Sequence, residues 1–400
     1  MKNGFRLSVM MFLQFMALPV WFVPMLPYVK SLPGGDGWAL WCGMIMGFGT
    51  FTSPLVGMFA DRFLNAEKVL AICDFAGVAV LSAAFFATSP AVLFVLMLAA
   101  MCFYMPTWSL TAAIAMAHAK KESFARIRVF GTIGWVASGV FSFVAAACFG
   151  VGDFDLTPSI FAAGAAVSAA GGLWALLAVP STAPSAKGTA MSVADALGLR
   201  ALVLFKNREF LVFALLLLLA MVPFQWYNVY CAAYLKESGF RYLTLTLNLG
   251  QAGEIGFMLL VPVIVRRFGY KGAMVTALCA LAFRNASFAA SAGLGLAAFD
   301  FGGILVHGLI FGLLIVGSQM YIDEVAPKEL RNQAQGLVNL LTAGVGVFVS
   351  NCVFDAVLRR QDASGRAPWT SAYLLAFALA ALGALLFAFV FRPRRRPALQ

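Results

Sequence analysis

Stretches of twenty or more residues with almost no charge recur along the whole of this 400-residue chain. A helix rises about 1.5 Å per residue, so each stretch can cross the ~30 Å hydrocarbon core of a bilayer. Twelve are present. Six lie at about 6–29, 38–60, 68–87, 91–117, 127–150 and 157–179, and six at about 209–235, 242–265, 271–291, 301–322, 332–356 and 368–391. Lipid offers the backbone no hydrogen bonds, so such runs are expected to be helices. Composition agrees: 62% of residues are hydrophobic and 11% charged, against about 25% charged in a soluble globular domain. The chain therefore reads as an all-α polytopic membrane protein. A polar stretch rich in Pro, Ser and Thr follows the sixth run, and its second half reads as a surface helix. The expected organisation is a six-helix bundle over 1–180, a linker over 181–208, a second six-helix bundle over 209–392 and a basic tail over 393–400.

Loop charges give the orientation. With the N-terminus inside, the inner side carries Lys2, Arg6, Arg62, Lys68, Lys120, Lys121, Arg126, Arg266, Arg267, Lys271, Lys328, Arg331, the linker cations and the tail RPRRRP. The outer side carries only Lys30, Lys236, Arg241, Arg359, Arg360 and Arg366. Lys and Arg accumulate in cytoplasmic loops, so both termini are placed in the cytoplasm. The net charge of +11 is the same excess, and no nucleic-acid partner is expected. The basic N-terminus runs into an apolar stretch interrupted by Pro19, Pro24 and Pro27 without a small-residue cleavage site. That fits a first spanning helix better than a cleaved signal. The seven cysteines lie in apolar segments without a CxxC pair and read as free, buried thiols. With two histidines and no nucleophile–base set, metal spacing or phosphate loop, neither an enzyme nor a cofactor or metal site is expected.

An ionisable side chain at the centre of a bilayer costs about 2.5–3.5 kcal/mol on insertion scales, so polar residues within the spans single themselves out. Span eight contains GQAGEIGFML (250–259), with Gln251 and Glu254 three apart on one helix face. Span seven contains FQWYNVY (224–230), with Gln225 and Asn228 three apart, flanked by Trp226, Tyr227 and Tyr230. Span five opens with RIRVFGTIGW (126–135), where Arg128 and Thr132 are four apart and Trp135 follows on the same face. Carboxamides and Thr donate and accept, Arg only donates, and ionised Glu only accepts. Such a set suits a ligand with hydroxyls, a carbonyl and ring nitrogens, and the aromatics offer flat faces to a planar ring. A ribose bearing a base matches, and a sugar matches less demandingly. The competing account is hydrogen bonding between helices, worth about 0.6–2 kcal/mol. For Gln225 and Asn228 taken singly both accounts stay open, and Arg128 could snorkel to the interface. Glu254 is read as functional, because intramembrane carboxylates mark ion or substrate paths. Gln14 is expected to line a cavity or cap a kink, and Tyr104, at the proline bend YMPTWS, reads first as part of a structural kink, with a place facing the cavity as the alternative. Arg284 and Asn285 read as structural, His118 as a surface residue, and His307 as hydrogen-bonded.

Two six-helix halves joined by a cytoplasmic linker resemble the plan of major facilitator transporters. GMFADRFLNAEK (57–68), between spans two and three, resembles the G-x-x-x-D-R loop of that superfamily, and VIVRRFGYKG (263–272) occupies the matching position in the second half. Asp61 and Arg62 are expected to stabilise one gate state rather than touch substrate. Repeats of this kind support two bundles rocking around a central site. More narrowly, the chain resembles the nucleoside/proton symporters, the bacterial nucleoside permeases. The resemblance lies in FLQF (12–15), PLVGMFADRF (54–63), YMPT (104–107), IRVFGTIGW (127–135), LFKN (204–207), QAGE (251–254), RRFGYKG (266–272) and AQG (334–336). Each is weak alone; in this order on twelve spans they are specific. The resemblance implies a major facilitator fold and nucleoside import by proton symport across the bacterial cytoplasmic (inner) membrane. Its implied partners are a nucleoside, protons and the lipid bilayer, with the chain acting as a monomer. It implies ligand contacts from Arg128, Thr132, Trp135, Gln225, Asn228, Gln251, Glu254 and the aromatic Phe311, with Glu254 the candidate for proton coupling.

One departure stands out. In HGLIFGLLIVGSQMYIDE (307–324) the family pattern has an aromatic followed by Asp, and here Phe311 is followed by Gly312. The missing acid would bind ribose hydroxyls or carry a proton. Its absence leaves Glu254 as the only carboxylate deep in a span read as central. Gly312 is also expected to open space for a bulkier or modified nucleoside. The alternatives are a major facilitator transporter of another polar solute (a sugar or modified nucleoside), a drug exporter, and a non-transporting ligand sensor.

Overall fold

The computed structural model describes residues 2–119, 121–184, 199–327, 334–335, 337–338, 340–360 and 368–392. Half of the 181–208 linker (185–198), the Gly336 position of AQG and the 393–400 tail lie outside the described residues. The described residues form helices and the short connections between them. Eight long apolar helices stand as single spans: Asn3–Ser31, Gly35–Arg62, Ala66–Phe86, Pro90–His118, Ser159–Leu177, Arg208–Glu237, Ala298–Val325 and Trp369–Phe389. The fifth span is a pair, Arg126–Ala137 and Val140–Phe149, bent by 41°. Helix Leu243–Leu294 is 52 residues long and is broken at Gly269, whose φ of 67° only glycine adopts cheaply. It therefore supplies spans eight and nine, one on each side of the RRFGYKG loop. With Leu340–Leu358, ten of the described helices are long and apolar enough to cross a membrane, or eleven with the bent pair as one span; dividing Leu243–Leu294 at Gly269 brings the helices into correspondence with the twelve expected.

Proline accounts for the interruptions. The first span is Lys2–Ala17, Pro19–Phe22 and Met25–Ser31, with breaks at Leu18 and at Val23–Pro24; a proline lacks the N–H that would continue the ladder. Pro106, Pro223 and Pro262 sit inside the fourth, seventh and eighth spans. Two further irregularities are π-helical turns, Phe311–Val316 and Leu340–Val345.

The chain packs as two units. Unit one is Met1–Ala196 with Asn228–Ala252, and unit two is Leu197–Tyr227 with Gly253–Gln400. Unit one is held by two apolar clusters, one around Trp21, Met97, Met101 and Phe161 and the other around Leu7, Met11, Leu70 and Ile114. At one end of it Glu67 accepts from the Thr182 amide at 2.8 Å and the Ser181 hydroxyl at 3.2 Å. His118 meets the Thr182 hydroxyl at 2.9 Å, so it is a half-buried clasp rather than the expected surface residue. Unit two is built around Phe210, Phe213, Leu278, Leu314, Tyr321 and Phe387. All seven cysteines are free, but Cys148, Cys279 and Cys352 are exposed, against the expectation of burial. A thiol behaves as a small hydrophobe, so an apolar outer face accepts it as readily as a core.

At the other end of unit one, Asp155 follows the fifth span and is 2% exposed. Its carboxylate accepts from the Ser142 hydroxyl at 2.7 Å, the Leu243 amide at 2.9 Å and the Thr244 hydroxyl at 3.3 Å. It thus caps the first turn of span eight, where amides are unpaired and the helix dipole favours negative charge. Burial pushes the carboxyl above the usual range, opposed by the hydrogen bonds from Ser142, Leu243 and Thr244. Replacing Asp155 by Ala leaves buried donors without an acceptor. Thermal denaturation in detergent should show a loss of about 1–3 kcal/mol, and Asp155→Asn, which keeps one acceptor oxygen, should lose less.

Candidate functional site

Within unit one, the fifth span carries Arg128, Thr132 and Trp135, all half-buried. The Arg128 guanidinium lies 4.1 Å from the centre of the Phe15 ring, a cation–π contact with the first span. Phe15 stacks on Trp108 of the fourth span at 5.5 Å and 18°. Gly131 makes room for this arrangement: a Cβ there would stand 2.7 Å from Arg128 Nη1 and 3.0 Å from the Phe15 ring. Arg128 is therefore folded across the bundle rather than extended toward the interface.

Asn248, one turn before Gln251, was not among the expected residues. Its amide donates to the carbonyls of Trp135 and Val136, each at 3.1 Å, and to the Ser138 hydroxyl at 3.2 Å. These groups lie at the bend of the fifth span, where the ladder leaves carbonyls to be satisfied. The contact brings the start of span eight, which continues into half-buried Gln251, against the segment bearing Trp135. The signal was legible, because Asn248 and Gln251 are three apart on one face. Asn228, also in unit one, is exposed.

Unit one holds a second polar group. Gln14 Nε2 donates to Asp74 Oδ2 at 2.5 Å, and the Tyr104 hydroxyl donates to the Gln14 carbonyl at 2.8 Å. Gln14 is 1% exposed and Asp74 4%. Sequence reasoning passed over Asp74 because span three was treated as peripheral. A lone carboxylate inside LAICDFAGV is nevertheless the same signal that singled out Glu254. Gln14, expected to line a cavity or cap a kink, and Tyr104, read first as structural, are both engaged in this cluster.

In unit two, Gln225 is buried and donates to the Thr342 carbonyl at 3.2 Å. Thr342 lies in the second π turn, and such turns leave backbone groups outside the regular ladder. Glu254 is 7% exposed, and its backbone packs so closely on Gly308 that no side chain fits there. Beside that crossing, His307 Nδ1 and Arg284 Nη2 are 3.1 Å apart, and Arg284 lies 4.1 Å over the Tyr227 ring. Arg284 is fully buried, tying spans seven, nine and ten together, in keeping with its structural reading. Phe311 lies one turn beyond His307, with ring centres 6.1 Å apart.

Two expectations are corrected. Gly312 does not leave open space, because a Cβ there would meet Val261 Cγ2 at 2.8 Å. Val261 Cγ2 stands where the first carbon of a side chain would reach. The aromatics beside Gln225 belong largely to the scaffold: Trp226 is fully buried, stacked on Phe354 at 4.2 Å and packed against Trp369 and Tyr373. In the loop between spans two and three, Asp61 is exposed, and Arg62 buries two guanidinium nitrogens that have no hydrogen-bond partner among the described residues.

The described helices, with buried amides, a guanidinium group and carboxylates inside the spans, make up a multi-pass membrane protein. A crystallised variant of the nucleoside transporter NupG superposes with a TM-score of 0.86 over 98% of this chain and all of that one, at 24% identity. A POT peptide transporter superposes with a TM-score of 0.73 over 96% of this chain and 94% of its own, at 12% identity. The profile of the nucleoside H+ symporter family matches residues 1–396, and the chain belongs to that family. It is 34% identical to the YegT protein of Escherichia coli K12, over 98% of this chain and 94% of that one. It is 27% identical to the xanthosine permease of the same organism, over 99% of this chain and 98% of that one.

The geometry around Gly131 gives a direct test. Gly131→Ala should displace Arg128 from Phe15 and weaken substrate affinity by about tenfold, equivalent to about 1.4 kcal/mol. Because alanine favours a helix by about 0.5–1 kcal/mol over glycine, melting temperature should not fall. Substrate titration and thermal shift on one preparation separate the two effects.

Proposed function

We propose that the protein imports nucleosides by proton symport with alternating access, acting as a monomer in the bacterial inner membrane with both termini cytoplasmic. Its working halves on this reading are 1–180 and 209–392, joined by the 181–208 linker. Membership of the nucleoside H+ symporter family supports the substrate class and the coupling ion. The observation that carries the proposal is the placement of Glu254, a carboxylate buried midway along a span at a glycine crossing. Relatives described as a xanthosine permease and a nucleoside permease support the same substrate class.

Nucleoside contacts are assigned to Arg128, Thr132, Trp135, Asn228 and Gln251 of unit one, and to Gln225, Glu254 and Phe311 of unit two. The amides donate and accept along the base edge, Arg128 donates, and Glu254 accepts from ribose hydroxyls. Trp135 and Phe311 are the ring faces left for stacking once Trp226 is committed to the scaffold. Glu254 exchanges one proton per cycle. One charge entering down 100 mV supplies about 2.3 kcal/mol, equivalent to roughly 50-fold accumulation. Asp61 and Arg62 belong to the gate.

Uptake of labelled uridine and adenosine into proteoliposomes, with and without an inward proton gradient, tests the reading. Nucleosides should compete for uptake and sugars should not. Asn228→Ala and Gln251→Ala should each cost about 0.5–1.5 kcal/mol of affinity, seen as a several-fold rise in KM. Glu254→Gln should abolish gradient-driven accumulation. Unchanged accumulation and pH dependence in that variant would remove Glu254 from coupling, and absence of wild-type counterflow would leave a ligand sensor.

A further inference from the structure

Asp74 lies in the third span, eight residues from its start at Ala66, or about 12 Å along the helix at 1.5 Å per residue. It is 4% exposed. Gln14 Nε2, at 2.5 Å, is its hydrogen-bond partner among the described residues. The groups facing it are few. Cys73, on its own helix, and Tyr104, on the fourth span, are the titratable ones, and both line a small cavity with it. The sixth span brings Ser168, Gly171 and Gly172, none of which is ionisable. The first span brings Gln14 and Trp21. The Arg128 guanidinium of the fifth span lies over Phe15, and no cation forms an ion pair with Asp74 among the described residues. A buried carboxylate without a cation lacks its charge-balancing partner. The smallest partner that supplies one is a proton.

The surroundings are built to accept either state. Gln14 Oε1 is buried and has no hydrogen-bond partner among the described residues. An ionised Asp74 only accepts, so the Gln14 amide turns its NH2 toward it. A protonated Asp74 donates, and the same amide satisfies it by turning its oxygen instead. The proton is thus read out as the orientation of one side chain. A cavity of about 10 Å³ beside Asp74, Tyr104 and Ser168 has room for about one water, enough to pass a proton along. The sixth span approaches closely because two glycines face the pair: a Cβ at Gly171 would lie 3.1 Å from Gln14 Nε2 and 3.3 Å from Asp74 Oδ2.

The same cluster connects to the candidate substrate contact. Gln14 precedes Phe15, and Phe15 carries the Arg128 guanidinium on its ring and stacks on Trp108. Trp108 in turn meets Tyr104 edge-on at 6.3 Å. Asp74, Gln14, Tyr104, Trp108, Phe15 and Arg128 therefore form one contiguous chain within unit one.

We propose that the Asp74–Gln14 pair is a proton-binding site in the N-terminal bundle, and that its occupancy positions Arg128 through Phe15. The inference rests on the transport reading above and adds a second proton site to it. Wild type, Asp74→Asn and Asp74→Glu are compared in proteoliposomes for uridine counterflow and for accumulation driven by a proton gradient. Asp74→Asn should lose the roughly 50-fold accumulation that one proton supports at 100 mV, to a far greater extent than it loses counterflow, and Asp74→Glu should restore part of it. Asp74→Asn accumulating uridine with the wild-type pH profile overturns the proposal and leaves the transport reading standing. Absence of wild-type counterflow overturns the transport reading instead, and a spectroscopic arm then decides about Asp74. Infrared difference spectra of the wild type between alkaline and acid pH should contain a protonated-carboxyl band that Asp74→Asn lacks; an identical band pattern in both proteins overturns the site. Should Asp74→Asn fail to fold, Gln14→Leu keeps the carboxyl and should shift both that band and the pH profile of uptake. No shift in either overturns the proposal.

Discussion

Hydrocarbon cannot hydrogen-bond, so every polar group in these spans must find its partner inside the protein. The packing follows from that demand. The Asn248 amide satisfies two carbonyls where the fifth span bends. The Gln225 amide satisfies the carbonyl of Thr342 in a π turn. The Ser350 hydroxyl reaches the Val222 carbonyl beside Pro223 at 2.8 Å. Each of these side chains lies next to an irregularity in a helix, where the regular ladder is interrupted. The irregularities and the polar residues therefore form one system: a bend or π turn exposes a carbonyl, and a carboxamide or hydroxyl on a neighbouring helix answers it.

That system requires helices to approach closely, and glycine sets where they do. Gly308 admits the backbone of Glu254, and Gly134 admits the backbone of Phe12. Helix association in membranes depends on small residues of this kind, because lipid is as apolar as a leucine surface and offers no hydrophobic gain. The consequence for function is positional. Glu254 is fixed by its own backbone against the tenth span, and the aromatic Phe15 is fixed beside the crossing at Gly134. A carboxylate and an arginine perch are thereby set by main-chain contacts, which flex less than side chains.

The twelve spans were legible because a bilayer imposes one length and one composition on anything that crosses it. Pairs such as Gln225/Asn228 and Gln251/Glu254 were legible because helical periodicity places residues three apart on one face. Which partner each would take was not. Gln225 and Asn228 share a stripe, yet Gln225 is buried on a carbonyl and Asn228 is exposed. The π turn that makes the difference leaves no mark in a hydropathy pattern. Trp226 looked like a stacking face from its neighbours in sequence and proved to be scaffold, since its partners Phe354, Trp369 and Tyr373 come from spans eleven and twelve. Gly312 looked like empty space, and the residue that fills it, Val261, lies some fifty positions away.

The replacement at Gly312 bears on how a proton can be carried at all. The first carbon of any side chain at that position would meet Val261 Cγ2, so packing opposes an acid there. Proton-carrying capacity then has to come from carboxylates elsewhere in the spans. Among the described residues the buried ones within helices are Glu67, Asp74, Glu254 and Asp300. Glu67 and Asp300 lie in the first turns of their helices, where unpaired amides and the helix dipole already account for a negative charge. Asp74 and Glu254 lie beyond the first turns of their helices, well inside their spans and in different units. A buried carboxylate that neither caps a helix nor neutralises a cation imposes a cost on folding, and for Asp74 a role in binding protons is the account that Gln14 and the surrounding residues support.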